Sequence, residues 1–244
     1  MGGELHLLCA GAVQGLVQAL QAEFESATGT LLRARFGAVG ALREALLGGA
    51  PCDLIIVTEA MLRDLRAEGR LAAAALTPIG RVRTGVAVRT GEARPAIGSR
   101  ADLKAALSAA PALYFPDPER ATAGKHVASV LERLGLRAAT TGRVRNFPNG
   151  AASMRALADE GIAGAIGCTQ ASEILATEGV DLLGVFEGEF ELSTTYAAGL
   201  AAGAAAPGAA LRLIDLLAGP ANLAARQRCG IEPPLPPAGP ADAA

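Results

Sequence analysis

Four segments of this chain bring small residues to places where a strand-like run gives way to a helix-like one. They are Cys9-Ala10-Gly11-Ala12-Val13, Phe36-Gly37-Ala38-Val39-Gly40, Arg120-Ala121-Thr122-Ala123-Gly124 and Phe147-Pro148-Asn149-Gly150-Ala151. The first turn of a helix carries backbone N–H groups with no intrahelical partner, and the helix dipole adds partial positive charge there. Such a turn holds an anion when no side chain stands in the way. In open α/β sheets, ligands also gather beyond the carboxyl ends of strands. The chemistry open to these segments is therefore anion binding by amides. Taken singly, each could equally be a tight turn in which Gly and Ala save space. Their repetition at equivalent positions favours a site.

Other chemistry is poorly represented. The sequence holds no GxSxG, no HExxH and no CxxC, and its two histidines, His6 and His126, are not at metal-ligand spacing. No metal and no cofactor is expected. Thr122-Ala123-Gly124-Lys125-His126 has the look of the end of a P-loop. However, Glu119 stands where the upstream Gly belongs, and His126 replaces the Ser/Thr that would hold magnesium. Gly37-Ala38-Val39-Gly40 lacks the third glycine of a dinucleotide fingerprint. His6 falls on the strand face opposite Leu5 and Leu7 and fits a structural role. The cysteines Cys9, Cys52, Cys168 and Cys229 are widely separated, so free and mostly buried thiols are expected.

The elements that must position the loops alternate along the chain. Leu5–Ala10 reads as a strand, and Val13, Leu16, Val17, Leu20 and Phe24 fall at helical spacing before a stop at Gly29. Leu32–Phe36 alternates as a half-buried strand. Asp53–Val57 is a short, nearly continuous apolar run of the kind covered on both faces. Further strands are expected at Val82–Val88, Ala112–Phe115, Arg143–Phe147, Ala163–Cys168 and Asp181–Phe186. Between them lie helices near 102–109, 124–134, 151–160 and 171–178. Strand and helix in turn, joined by short loops, predict parallel sheets with right-handed crossovers.

Composition narrows the function classes. The 244 residues carry 22 Lys+Arg against 24 Asp+Glu, a net charge of −2, which argues against a nucleic-acid binder. With 51% hydrophobic residues a substantial core is available, whereas 3% aromatics leave little for a pocket built from stacked rings. No apolar run reaches the roughly 18–20 residues that span a bilayer, so no membrane insertion is expected. Met1-Gly2-Gly3-Glu4 has no leader features; the expectation is cytoplasmic for the chain as it begins, and periplasmic if a signal peptide has been removed. The Pro-rich stretch 232–244 reads as a disordered tail.

Over residues 4–231 the chain resembles the type 2 periplasmic binding proteins, in the branch of the molybdate-binding proteins. The likeness rests on LHLLCAGAVQGLVQALQAEFESATG, FGAVGALREALLGGAPCDLIIVTEAMLRDLRAEGRL, PIGRVRTGVAVRTG, YFPDPERATAGKHVASVLERLGL and ADEGIAGAIGCTQASEI, including Gly49-Ala50-Pro51 and Asp53 ahead of a strand. The resemblance implies an α/β fold of two lobes, each a mostly parallel sheet flanked by helices, with a ligand cleft between them. Lobe 1 would comprise 1–80 and 190–231, and lobe 2 would comprise 81–189. The implied partners are a small anionic ligand and an ABC transporter permease, and the implied state is a monomer.

Carried over position by position, the implied ligand loops are Ala10-Gly11-Ala12, Gly37-Ala38-Val39, Thr122-Ala123-Gly124, Asn149-Gly150-Ala151 and Thr169-Gln170. Molybdate binders typically carry serines in the first two loops, where this chain has Ala10, Gly11, Ala12, Ala38 and Val39. They carry a tyrosine where it has Gln170. Lys125, His126 and Arg145 lie near the third and fourth loops, and cationic groups of this kind suit carboxylates. These departures move the expected ligand from an oxyanion such as molybdate toward an organic di- or tricarboxylate. The branch is also similar to aconitate isomerases. Under that alternative His126 would be the base, Thr122 or Gln170 would hold one carboxylate, and Arg145 would clamp another.

Overall fold

The computed structural model of the chain describes residues 3–73 and 75–234. Its elements run β1 (Glu4–Ala10), α1 (Gly11–Thr28), β2 (Leu31–Gly37), α2 (Val39–Leu47), β3 (Leu54–Thr58), α3 (Glu59–Ala67) and β4 (Thr77–Arg89). Then follow α4 (Arg100–Ala109), β5 (Leu113–Pro116), α5 (Thr122–Arg133), α6 (Arg137–Thr140), β6 (Val144–Phe147), α7 (Gly150–Asp159), β7 (Ile166–Gln170), α8 (Ala171–Leu175) and β8 (Val180–Val185). The chain closes with β9 (Ser193–Leu200), α9 (Pro207–Ala218) and α10 (Leu223–Arg228). Local causes are plain where the sequence pattern is strong. The apolar stripe of α1 is the face it buries, and Gly29, in the left-handed conformation at φ 64°, ends the helix by donating to Glu25 O.

The strands form one path, β2-β1-β3-β9-β4-β7-β5-β6, with β8 added against β4. Pairing is parallel for β1 with β2 and β3, and for β5 with β6 and β7. It is antiparallel wherever β4 or β9 takes part. The sheet is thus mixed, not wholly parallel. Alternation of strands and helices cannot reveal this, because β4 and β9 are the two strands that pass between the halves. β4 is longer than the predicted 82–88: Thr77–Arg83 pair with β9, and Thr84–Val88 pair with β7.

The core divides accordingly. Leu5 through Val82, rejoined by Tyr196 through Ile231, form one buried cluster. Val86 through Phe190 supply the clusters on the other side. The result is a two-lobed α/β molecule whose lobes share strands instead of a tether. Glu232, expected to open a disordered tail, is instead held: it forms a β-bridge with Arg81, and its carboxylate meets Arg83 Nε at 2.8 Å and Arg81 Nη2 at 3.1 Å. Residues 235–244 of that predicted tail lie outside the described residues. No helix among the described residues is long and apolar enough to cross a membrane. All four cysteines are free; Cys9 and Cys168 are buried, and burial pushes the Cys168 thiol up to about 12.

Candidate functional site

The helices fall into two groups by the way they begin. Thr58 caps α3 by accepting from Met61 N, and Ser99 caps α4 by accepting from Asp102 N. Ahead of α9, the turn that leads into the helix is held from a distance, since Asp53 Oδ1 accepts from Ala205 N at 2.6 Å and Ala206 N at 2.9 Å. By contrast, α1, α2 and α5 follow Ala10, Ala38 and Ala121, which have no side chain able to cap. Among the described residues, the amides of Ala12, Val39, Thr122 and Ala123 donate to nothing. These uncapped starts converge on a single cavity, also bounded by Asn149 and Gly150 at the start of α7 and by Pro116, Gln170, Glu173 and Tyr196. Asn149 turns its own side chain to Ala152 N, so α7 is capped. The interior is small, with a cavity volume of about 20 Å³.

Three polar side chains finish the lining. Gln170, at the end of β7, is 2% exposed, and both its Nε2 and its Oε1 lack a hydrogen-bond partner among the described residues. A buried amide of this kind costs stability unless something occupies the space it faces. Tyr196 of β9 is buried, which pushes its phenol upward, with Glu173 and Cys9 acting in the same direction and the neighbouring Gln170 side chain, too poorly aligned for a regular hydrogen bond, acting against them. Glu173, on α8, is 7% exposed and accepts from Thr169 Oγ1 at 2.6 Å. Burial pushes its carboxyl above the ordinary range, against the pull of Thr169 and the amides of Gln170, Ala151 and Gly150.

Two glycines make this arrangement possible. A Cβ on Gly150 would stand 1.9 Å from Glu173 Oε2 and 2.1 Å from Thr169 Oγ1; one on Gly11 would stand 2.3 Å from Glu173 Oε1. No lysine, arginine or histidine among the described residues lines the cavity.

Of the positions singled out from the sequence, Ala10, Gly11, Ala12, Gly37, Ala38, Val39, Thr122, Ala123, Asn149, Gly150 and Gln170 line this cavity. Thr169 stands behind it and acts through Glu173. The charged candidates lie elsewhere. Lys125 is exposed, because successive helical residues rotate away from the mouth of α5. His126 turns into the lobe core, where Nε2 lies 2.8 Å from Phe190 O and the ring meets Phe186 edge-on; burial holds its pKa below the usual imidazole value. Arg145 is exposed, paired with Glu160 at 2.7 Å and lying over the Tyr114 ring. Gly124 and Ala151 do not reach the lining. At Gly124 the backbone passes so near the carbonyls of Pro116 and Asp117 that a Cβ would be 2.3 Å from each.

Pro116, Glu173 and Tyr196 were not singled out from the sequence, and Ala121 was named there only within its small-residue segment. For Glu173 a signal exists: it stands three residues after Gln170, the spacing of an acid that reaches back to the amide of an N-cap residue. Tyr196 comes from a distant strand with no motif around it.

A family model described as bacterial extracellular solute-binding protein matches residues 5–232. The chain is 26% identical over 235 residues to an aconitate isomerase from Pseudomonas sp, a match covering 94% of this chain and 87% of that protein. Among solved structures, the periplasmic molybdate-binding protein of Azotobacter vinelandii superposes with a TM-score of 0.78 at 18% identity, covering 95% of this chain and 100% of that one. The sulfate-binding protein SubI from Mycobacterium tuberculosis gives 0.72 at 17% identity, covering 95% and 87%. The tungstate ABC transporter structure from Geobacter sulfurreducens gives 0.65 at 17% identity, covering 91% and 96%. At these identities the structural likeness bears on the fold.

Proposed function

The chain belongs to the bacterial extracellular solute-binding protein family, and from that premise we propose that it captures a small anion between its lobes for delivery to an ABC-type membrane transporter. The observation that carries this reading is the set of unpartnered amides of Ala12, Val39, Thr122 and Ala123 at uncapped helix starts around one cavity. The unpaired Gln170 amide adds a donor at the same place. Names of structural neighbours that bind molybdate, sulfate and tungstate are in keeping with such a ligand.

The ligand proposed is a compact oxyanion of a few heavy atoms. The interior leaves little more space than one water molecule needs, and the cationic groups that favoured a di- or tricarboxylate, Lys125, His126 and Arg145, do not line it. We assign lobe 1 to 1–80 and 190–231 and lobe 2 to 81–189, with β4 and β9 as the flexing connection. Closure is supported by contacts between α2 and the loop before α5: Gly40 N donates to Arg120 O at 3.1 Å, and Glu44 pairs with the Arg120 guanidinium. Delivery to a transporter implies a periplasmic or extracellular setting.

A second reading, isomerisation of a tricarboxylate, is favoured by the aconitate isomerase relative. Its base would be Glu173, the carboxyl that lines the cavity, and not His126, whose ring nitrogen is engaged by Phe190 O. Such a substrate would enter only with the lobes drawn apart.

One experiment separates the readings: thermal unfolding with molybdate, tungstate, sulfate, phosphate, citrate and cis- and trans-aconitate, followed by an isomerase assay on the aconitates. A ligand at about 1,000 times its Kd stabilises by about 4 kcal/mol, on the order of 10 °C for a chain of this size. A shift with inorganic oxyanions and none with tricarboxylates is expected. Shifts confined to tricarboxylates, with turnover, would establish the isomerase instead.

A further inference from the structure

We propose, resting on the anion-capture reading above, that Glu173 determines ligand specificity: its carboxyl shares one proton with an oxygen of the bound anion, so the cavity selects tetrahedral oxyanions that keep a proton at neutral pH, the hydrogen-phosphate class, over fully deprotonated ones such as sulfate and molybdate.

Glu173 is a resident carboxylate inside an anion cradle. Its Oε2 takes the Thr169 hydroxyl at 2.6 Å and lies against Gly150 at the mouth of α7, and its Oε1 lies against Gly11 at the mouth of α1. It is 7% exposed and wedged between two glycines that would each collide with it if they carried a Cβ. The Thr169 hydroxyl and the amides of Gln170, Ala151 and Gly150 hold it there when a ligand arrives. An anion seated on the amides of Ala12, Val39 and Ala123 must then meet a carboxyl in the same small cavity.

Two like charges in contact, with little water to screen them, are disfavoured unless a proton lies between them. Among the described residues, no cationic group acts on the carboxyl to compensate. Facing Glu173 are the Thr169 hydroxyl from β7, the Tyr196 phenol from β9 with the Cys9 thiol of β1 beyond it, and backbone amides from α7 and from its own helix. On the other packed elements, Arg83 of β4 is paired with Glu232, Arg155 of α7 lines a different pocket, and Asp181 of β8 is bonded to Thr90. A proton bound along with the ligand is what removes the conflict. Hydrogen phosphate brings that proton with it, whereas sulfate and molybdate must find it on Glu173. The unpaired Gln170 amide and the free main-chain amides serve the remaining oxygens, which carry the ligand's charge.

Glu173 also reaches back toward the Gln170 amide, as a helix cap would. A role limited to capping would leave ligand selectivity and its pH dependence unmoved, and those are the quantities to read. The full chain is titrated calorimetrically with phosphate, sulfate and molybdate from pH 7 to 9, alongside Glu173→Gln. Where Glu173 is ionised in the free protein, the wild type is expected to prefer phosphate by about 100-fold or more, as sites built to bond a ligand hydroxyl do; at lower pH, where Glu173 holds the proton itself, the preference should shrink.

Sulfate and molybdate affinities should fall about tenfold per pH unit above the ionisation of Glu173 in the free protein, and phosphate affinity should stay level. In Glu173→Gln the preference should shrink to within about tenfold. Equal affinity for the three anions with no pH slope in the wild type, or an unchanged preference in Glu173→Gln, would overturn the inference while leaving anion capture standing. Failure of all three anions to bind the wild type at millimolar concentration would overturn anion capture and this inference together. If Glu173→Gln does not fold, the pH series on the wild type decides alone.

Discussion

Replacing Gly150 by alanine is expected to abolish anion binding and to lower stability by about 2–4 kcal/mol. The added methyl would stand 1.9 Å from Glu173 Oε2, 2.1 Å from Thr169 Oγ1 and 2.4 Å from Glu173 Cδ. The carboxyl can yield only by giving up the Thr169 hydroxyl and the amides that hold it. Either α7 moves back and takes its mouth out of the cavity, or Glu173 leaves its hydroxyl and amide partners and remains buried without them. Gly150 has no left-handed backbone conformation to protect, so the effect is one of space alone. Urea unfolding and calorimetric titration of Gly150→Ala measure both consequences. A variant as stable as the wild type, with ligand affinity unchanged, would mean that Glu173 is not wedged as described.

The second large effect is far from the cavity. Asp53 is 2% exposed and sits where β1, β3 and α9 meet. Its Oδ2 accepts from His6 N at 2.8 Å, and its Oδ1 accepts from Ala205 N and Ala206 N, more than a hundred residues later in the chain. A single carboxylate thereby ties the turn that enters α9 to β1 and β3. Asp53→Ala removes three hydrogen bonds of a buried carboxylate to partly buried amides and should cost about 2–3 kcal/mol at neutral pH.

Burial alone would raise the Asp53 carboxyl, but the amides of His6, Ala206 and Ala205 and the His6 ring outweigh it and hold it below the ordinary carboxylate range. A carboxylate lowered in this way contributes stability that is fully present above its unfolded pKa, near 4, and is lost as pH falls through the folded value. The gap in stability between wild type and Asp53→Ala should accordingly narrow as the pH is taken below about 4. A pH-independent gap would show that packing, not the charge, holds this corner.

How much of this could be read from residues alone depends on how local the cause is. The stripe of Val13, Leu16, Val17, Leu20 and Phe24 and the stop at Gly29 are set within one helix, and the helix follows the pattern. The small-residue loops at Ala10, Ala38, Thr122 and Gly150 were visible for the same reason, since a run of small residues at a helix start is a property of neighbouring residues; that α7, unlike the other three, is capped by Asn149 appears only in the fold. The mixed pairing of β4 and β9 was not visible, because strand direction is decided by partners more than a hundred residues apart, as with Arg81 and Thr195.

The charged candidates were misplaced by a similar limit. Proximity in sequence to a binding loop says nothing about which way a helix turns, and one or two residues beyond Gly124 suffice to carry Lys125 to solvent and His126 into the core. Glu173 was hidden by its ordinary appearance as an acid in a first helical turn. What distinguishes it is the absence of a Cβ at Gly11 and Gly150, two loops that only the folded chain brings against it.

The central claim is that a small anion sits on the uncapped helix starts around this cavity. Crystals grown with arsenate, and separately with molybdate, would test it by anomalous scattering. The account predicts one dominant anomalous peak inside the cavity, with the anion's oxygens about 3 Å from the amides of Ala12, Val39, Thr122 and Ala123 and one oxygen against Glu173 in the arsenate crystals. Anomalous peaks found only on the outer surface, with the cavity holding water at saturating anion, would contradict it.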